Sequence, residues 1–216
     1  MRETAVLFRK ELMLEWRNKY ALSGILLYVC STVFIVYTAF VRVAPEVWNA
    51  LFWIILLFAS VNAVVKSFAQ ESSSRQLYYY SLVNPIALLL AKMAYNAALL
   101  WVIGLLSWFA FQVVAGNPVK DAGAFLLVLL LGGLGFSITF TFISSLAAKA
   151  DNSATLMAIL SFPVVIPILM TLIKLSANAL GLLRDTATDT DVLTLLAIDL
   201  LLLGLSLVLY PFAWRD

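Results

Sequence analysis

The sequence predicts an all-α integral membrane protein with six transmembrane helices, and three observations carry that prediction. The 216 residues are 63% hydrophobic and only 12% charged, whereas ordinary globular chains run about 45–50% apolar and about 25% charged. The apolar residues gather in six blocks near the ~20 residues that cross ~30 Å of hydrocarbon. Those blocks lack the alternation of barrel strands, as Leu126–Leu131 shows, and within lipid a helix pairs its own backbone groups.

The elements follow in order, and the chain reads as a single transmembrane domain over residues 1–216. Residues 1–20 predict an amphipathic helix lying in the interface plane. Ala5, Phe8, Leu12 and Trp16 recur at three- and four-residue spacing on one face, with Lys10 and Arg17 on the far side. Topology anchor and docking surface are both open as roles for it. The first span is 21–41. Its apolar run exceeds the ~7–15 residues of a signal-peptide core, so it reads as a retained span. The second span is 47–65. Residues 66–85 then form a connector much longer than two antiparallel helices need. Glu71 and Arg75 stand four apart with the acid first, the favourable order for a helical ion pair. Leu77, Tyr78, Tyr79 and Tyr80 follow as a cluster of large side chains, and Pro85 suits the first turn of the next helix. Such a segment is either a helical plug for a soluble partner or a solvated loop whose tyrosines dip into the interface.

The remaining spans are 93–115, 122–148, 153–173 and 192–209. Gly133, Ser137, Thr141 and Ser145 repeat every four residues in the fourth, beside Gly132 and Gly135. A stripe of small residues admits a close neighbour, which favours helix packing over pore lining. Pro163 and Pro167 in the fifth each remove a backbone donor and favour a kink, which suits either a gating helix or a static bend. Asp199 is the formal charge inside the sixth. Burying it costs ~2.5–3.5 kcal/mol on insertion scales, so it calls for protein or water around it and for a partner. A proton or substrate contact is one reading of it; a hydrogen bond between helices or subunits is the favoured one.

Six spans put both termini on one side. With the amino terminus inside, ten of the 14 Lys and Arg fall in inner segments; only Arg42, Lys120, Lys174 and Arg184 fall outside. This asymmetry predicts a multi-pass protein with both termini cytoplasmic. A net charge of +2 argues against nucleic acid as a partner. Zero histidines and one cysteine, Cys30, exclude a Ser–His or Cys–His couple, a mixed Cys/His zinc site and a histidine-ligated haem within the chain. No catalytic or metal site is expected. There is no GxxxxGK[ST] loop to hold nucleotide.

A basic entry helix, six spans and a long inner connector after the second resemble the ABC-2 class of ABC-transporter permeases. Within that class the sequence is similar to the CcmB family. The resemblance rests on FAQESSSRQLYYYSLVNP (68–85), PIALLLAK (85–92), LLLGGLGFS (129–137) and ILSFPVVIPILM (159–170), the doubled-proline segment being the most specific. Serines and Arg75 stand where many ABC-2 relatives carry a glycine in the connector. The resemblance implies that residues 66–85 are a cytoplasmic coupling helix. It also implies a permease subunit of the bacterial inner membrane for cytochrome c maturation, without a nucleotide site of its own. ATP and magnesium would be held by a CcmA-like ATPase. CcmC-like and CcmD-like membrane subunits, a CcmE-like haem chaperone and a second copy of the chain are the further partners implied. Haem would be cargo or handled ligand and not a stably held cofactor. An ABC-2 permease for a lipid, polysaccharide or drug is the rival expectation.

Overall fold

The computed structural model describes residues 2–17, 19–40, 43–69, 83–147, 153–183 and 188–215, and every regular element among them is an α-helix. In chain order these are α1 (Arg2–Arg17), α2 (Lys19–Ala39), α3 (Pro45–Ala69), α4 (Pro85–Ala115), α5 (Ala122–Ala147), α6 (Ser153–Ala179) and α7 (Thr188–Arg215). Five segments, within α3 to α7, are long and apolar enough to cross a membrane; α2 contributes a shorter apolar helix, Ser23–Ala39.

Several helices outrun their apolar blocks, because helix ends follow capping chemistry as well as hydropathy. Proline opens both α3 and α4, where its fixed φ is already helical and its missing N–H is no loss. The third span therefore starts at Pro85, ahead of Met93. Asn84 caps it, its side chain accepting from the Ile86 N–H at 3.0 Å. Asp121 does the same for α5, accepting from the Ala124 N–H at 2.9 Å.

α5 is the centre of the bundle, with α3, α4, α6 and α7 all packed on it. Three glycines make this possible. A Cβ on Gly132 would stand 2.8 Å from the Trp53 ring of α3 and 3.0 Å from Leu172 of α6. One on Gly133 would meet Trp101 of α4 at 2.6 Å, and one on Gly135 would meet Asp199 of α7 at 2.7 Å. Toward one end of the bundle Trp48, Phe52, Phe111 and Phe125 close the space between α3, α4 and α5. Trp48 and Phe52 stack at 5.5 Å, and Phe111 meets Trp48 edge-on at 5.4 Å.

The same end is finished by backbone. The Lys120 and Asp121 N–H groups both donate to the Ala179 carbonyl, at 3.2 and 3.0 Å, so the approach to α5 caps the end of α6. Gly181, at φ +71°, turns the chain there, and the Leu182 N–H returns to the Ala177 carbonyl at 2.9 Å. Across to α7, Lys174 pairs with Asp191 at 2.8 Å and Asn178 bonds to Thr188.

Adding a methyl at Gly133 forces the Trp101 ring aside and breaks its hydrogen bond to the Leu130 carbonyl (2.9 Å). Gly133→Ala is expected to cost ~1–3 kcal/mol. Gly204, with nothing within 4 Å of an added Cβ, is the control. Gly204→Ala should be neutral or stabilising by roughly 0.5–1 kcal/mol. Unfolding of both variants in detergent micelles measures the difference.

Candidate functional site

The connector residues expected to meet a soluble partner, Glu71, Arg75, Leu77, Tyr78, Tyr79 and Tyr80, lie outside the described residues. What is described is how the connector is held. α3 delivers the chain at Ala69, and α4 takes it up at the Asn84–Pro85 cap.

Against that second end lies α1, and the side it turns to the bundle is not the apolar stripe read from the sequence. Leu12 is 45% exposed and Ala5 is also exposed, whereas Leu7 and Glu11 are buried. Phe8 is half-buried, and nothing is described of the Trp16 and Arg17 side chains. The reason is lateral packing. α1 leans on α4 through Leu7, which meets Leu88 and Ala91 with Val83 and Ala87 beside them. Lys10, placed on the far side from the sequence, is half-buried and bonds to Glu11 at 3.0 Å. Lys92, with no exposed surface, stands 3.6 Å from the same Glu11 oxygen. Neither Glu11 nor Lys92 emerges from the sequence reasoning as a site residue. The signal was present in the Asn84–Pro85 start, which puts Lys92 two turns inside a helix.

From α4 the contacts pass to α5 through the small-residue stripe. Gly133 takes the Trp101 ring, the Ser137 hydroxyl donates to the Met93 carbonyl at 2.6 Å, and Thr141 accepts from the Asn96 amide at 2.8 Å. Ser145 turns back to its own helix, donating to the Phe142 carbonyl at 2.6 Å. Three of the four stripe residues therefore face one neighbour. A second polar link, unforeseen from sequence, joins α3 to α6. The Asn49 amide donates to the Ile173 carbonyl at 2.9 Å, Ser176 donates to the Asn49 oxygen at 2.7 Å, and the Trp53 indole donates to Ser176 at 2.8 Å. Asn49 and Trp53 stand four apart on α3, and Ile173 and Ser176 three apart on α6, but the bonded partners are 123 to 127 residues apart in the chain.

Pro163 and Pro167 stand on the exposed side of α6, which continues through both, and Thr171 donates to the Pro167 carbonyl at 2.9 Å. Ile159, Phe162 and Met170, each 64–67% exposed, share that side. Asp199 is 5% exposed and set against Gly135, to which Ile168 of α6 also comes close. Neither carboxyl oxygen has a hydrogen-bond partner among the described residues, so the interhelical form of the favoured reading is not seen among them, and its intersubunit form involves a second copy of the chain. Gly135 has no side chain with which to answer a carboxyl group. The contact it offers is one of shape. No group of three or more His, Cys, Asp or Glu converges among the described residues.

Because Gly135 and Asp199 share one space, their substitutions should couple. Gly135→Ala alone is expected to destabilise by ~1–3 kcal/mol. In an Asp199→Ala background most of that cost should vanish, an interaction of ~0.5–3 kcal/mol in a double-mutant cycle read from unfolding in micelles.

A family model described as CcmB protein matches residues 2–216. No curated protein matches the chain.

Proposed function

We propose how this chain works from one premise: it belongs to the CcmB family, the membrane component of the haem-exporting ABC transporter for cytochrome c maturation. It is a permease-type subunit, and the family implies a CcmA-like ATPase and other Ccm components around it. We infer the working parts. The chain spans the inner membrane six times, α2 to α7 each crossing once, with both termini in the cytoplasm. Residues 66–85 face the cytoplasm and carry the coupling helix. There Glu71, Arg75, Leu77, Tyr78, Tyr79 and Tyr80 meet the ATPase. Closure of the ATPase pair pushes this segment, and only a difference in contact between the two states turns that push into work.

The observation that carries this reading is the double fastening of α4 to α5. A displacement delivered at Pro85 enters α4 directly. The Ser137–Met93 and Asn96–Thr141 hydrogen bonds then hand it to α5, and Gly135 passes it on to Asp199 of α7. α6, with Pro163 and Pro167 on its exposed side, is the element best able to bend in response. Haem is the handled ligand, reached through Tyr, Met or apolar contacts because the chain has no histidine. CcmC-like and CcmD-like subunits, a CcmE-like chaperone and a second copy of the chain complete the assembly. Asp199 serves the fit of α7 on α5 and not a proton relay, since one isolated acid makes a poor relay.

Substituting Glu71 and Arg75 together by alanine should reduce copurification of the ATPase, or leave ATP hydrolysis running without release of the haem-loaded chaperone. Normal coupling in that variant removes the connector reading. Asp199→Asn keeps the shape of the side chain, so assembly and chaperone release should both persist. Lost release from an intact complex would assign Asp199 to transport chemistry.

A further inference from the structure

Two rungs join α1 to the start of α4. Leu7 and Glu11 stand four apart on α1, and Leu88 and Lys92 stand four apart on α4, so each pair shares a helix face. Leu7 packs on Leu88, and Glu11 meets Lys92 at 3.6 Å. The second rung is deep, with Lys92 at 0% and Glu11 at 7% exposure. The Glu11 oxygen that faces Lys92 also receives Lys10 at 3.0 Å. A buried pair of this kind adds little net stability, and its worth lies in fixing which groups face one another. Sliding α1 by one turn would part Glu11 from Lys92 and would also lift Leu7 off Leu88.

We propose that the Glu11–Lys92 pair is a positioning device that fixes the register of α1 on α4, so that α1 and the first turns of α4 move as one body. This rests on the reading that the connector receives the ATPase's motion, and extends it: α1 becomes a second arm of the lever, carried along the membrane surface when Pro85 is displaced.

The test uses the full complex with its ATPase in nanodiscs, with Cys30, exposed on α2, replaced by serine. Nitroxide labels go on cysteines at three exposed positions, Val6 on α1, Ile86 on α4 and Leu160 on α6, and distances are measured without nucleotide and trapped with ATP and vanadate. The Val6–Ile86 distance should be the same in both states, while Val6–Leu160 and Ile86–Leu160 shift together. A shift in Val6–Ile86, or a Val6–Leu160 distance that stays fixed, overturns the proposal. Lys92→Met should broaden the Val6–Ile86 distribution, and the exchange Glu11→Lys with Lys92→Glu, which restores opposite charges, should narrow it again. Breadth that persists in the exchanged protein would assign the registration to apolar packing and sink the role of the ion pair. The wild-type distances stand even where Lys92→Met fails to assemble. Failure of the connector reading appears elsewhere, as normal coupling in the Glu71/Arg75 variant.

Discussion

At positions 132, 133 and 135 of α5 there is no side chain, and the bundle is built on that absence. Between helices in lipid there is little hydrophobic drive to associate, because lipid tails are as apolar as leucine. Association rests on close packing and on hydrogen bonds, and both need short distances. The three glycines bring Trp53, Trp101 and Asp199 from three different helices onto one element. With α5 occupied on so many sides, motion in any neighbour must either carry it along or slide against it.

The polar groups divide along the same line. Ser60, Ser107 and Ser161 each donate to the carbonyl four residues back on their own helix, which satisfies a buried hydroxyl without binding a neighbour. Other polar side chains cross between helices: Ser137, Asn96, Thr141 and Trp101 between α4 and α5, Asn49, Ser176 and Trp53 between α3 and α6, and Asn178 with Thr188 and Lys174 with Asp191 between α6 and α7. Those crossings add polar ties to particular contacts that shape alone would not fix.

How much of this was legible follows from what each feature depends on. The helices α3 to α7 were, since each carries an apolar block long enough to speak for itself and its backbone can be satisfied only locally; the apolar stretch of α2, Ser23–Ala39, is shorter. Their starts were partly so: Pro85 announced its own position, yet the apolar count placed the third span at Met93, past a lysine that a buried glutamate tolerates. The facing of α1 was not legible. Val6, Leu7, Phe8, Leu12, Met13 and Leu14 surround much of that helix, so periodicity leaves several stripes and only α4 selects among them. The stripe of α5 was visible because four-residue spacing is local, but its partner was not. The setting of the Asp199 carboxyl was equally hidden, because it depends on a glycine 64 positions away in the chain (199 less 135).

The backbone capping at the end of α6 has a mechanical meaning. α5 and α6 are joined covalently through residues 148–152 at one end, and at the other the Lys120 and Asp121 amides grip the Ala179 carbonyl. Chain and hydrogen bonds together make a closed circuit of the two helices, like a link whose ends have been brought together. Splaying the pair at that end would break both hydrogen bonds, so α5 and α6 tilt or rotate together more readily than they part.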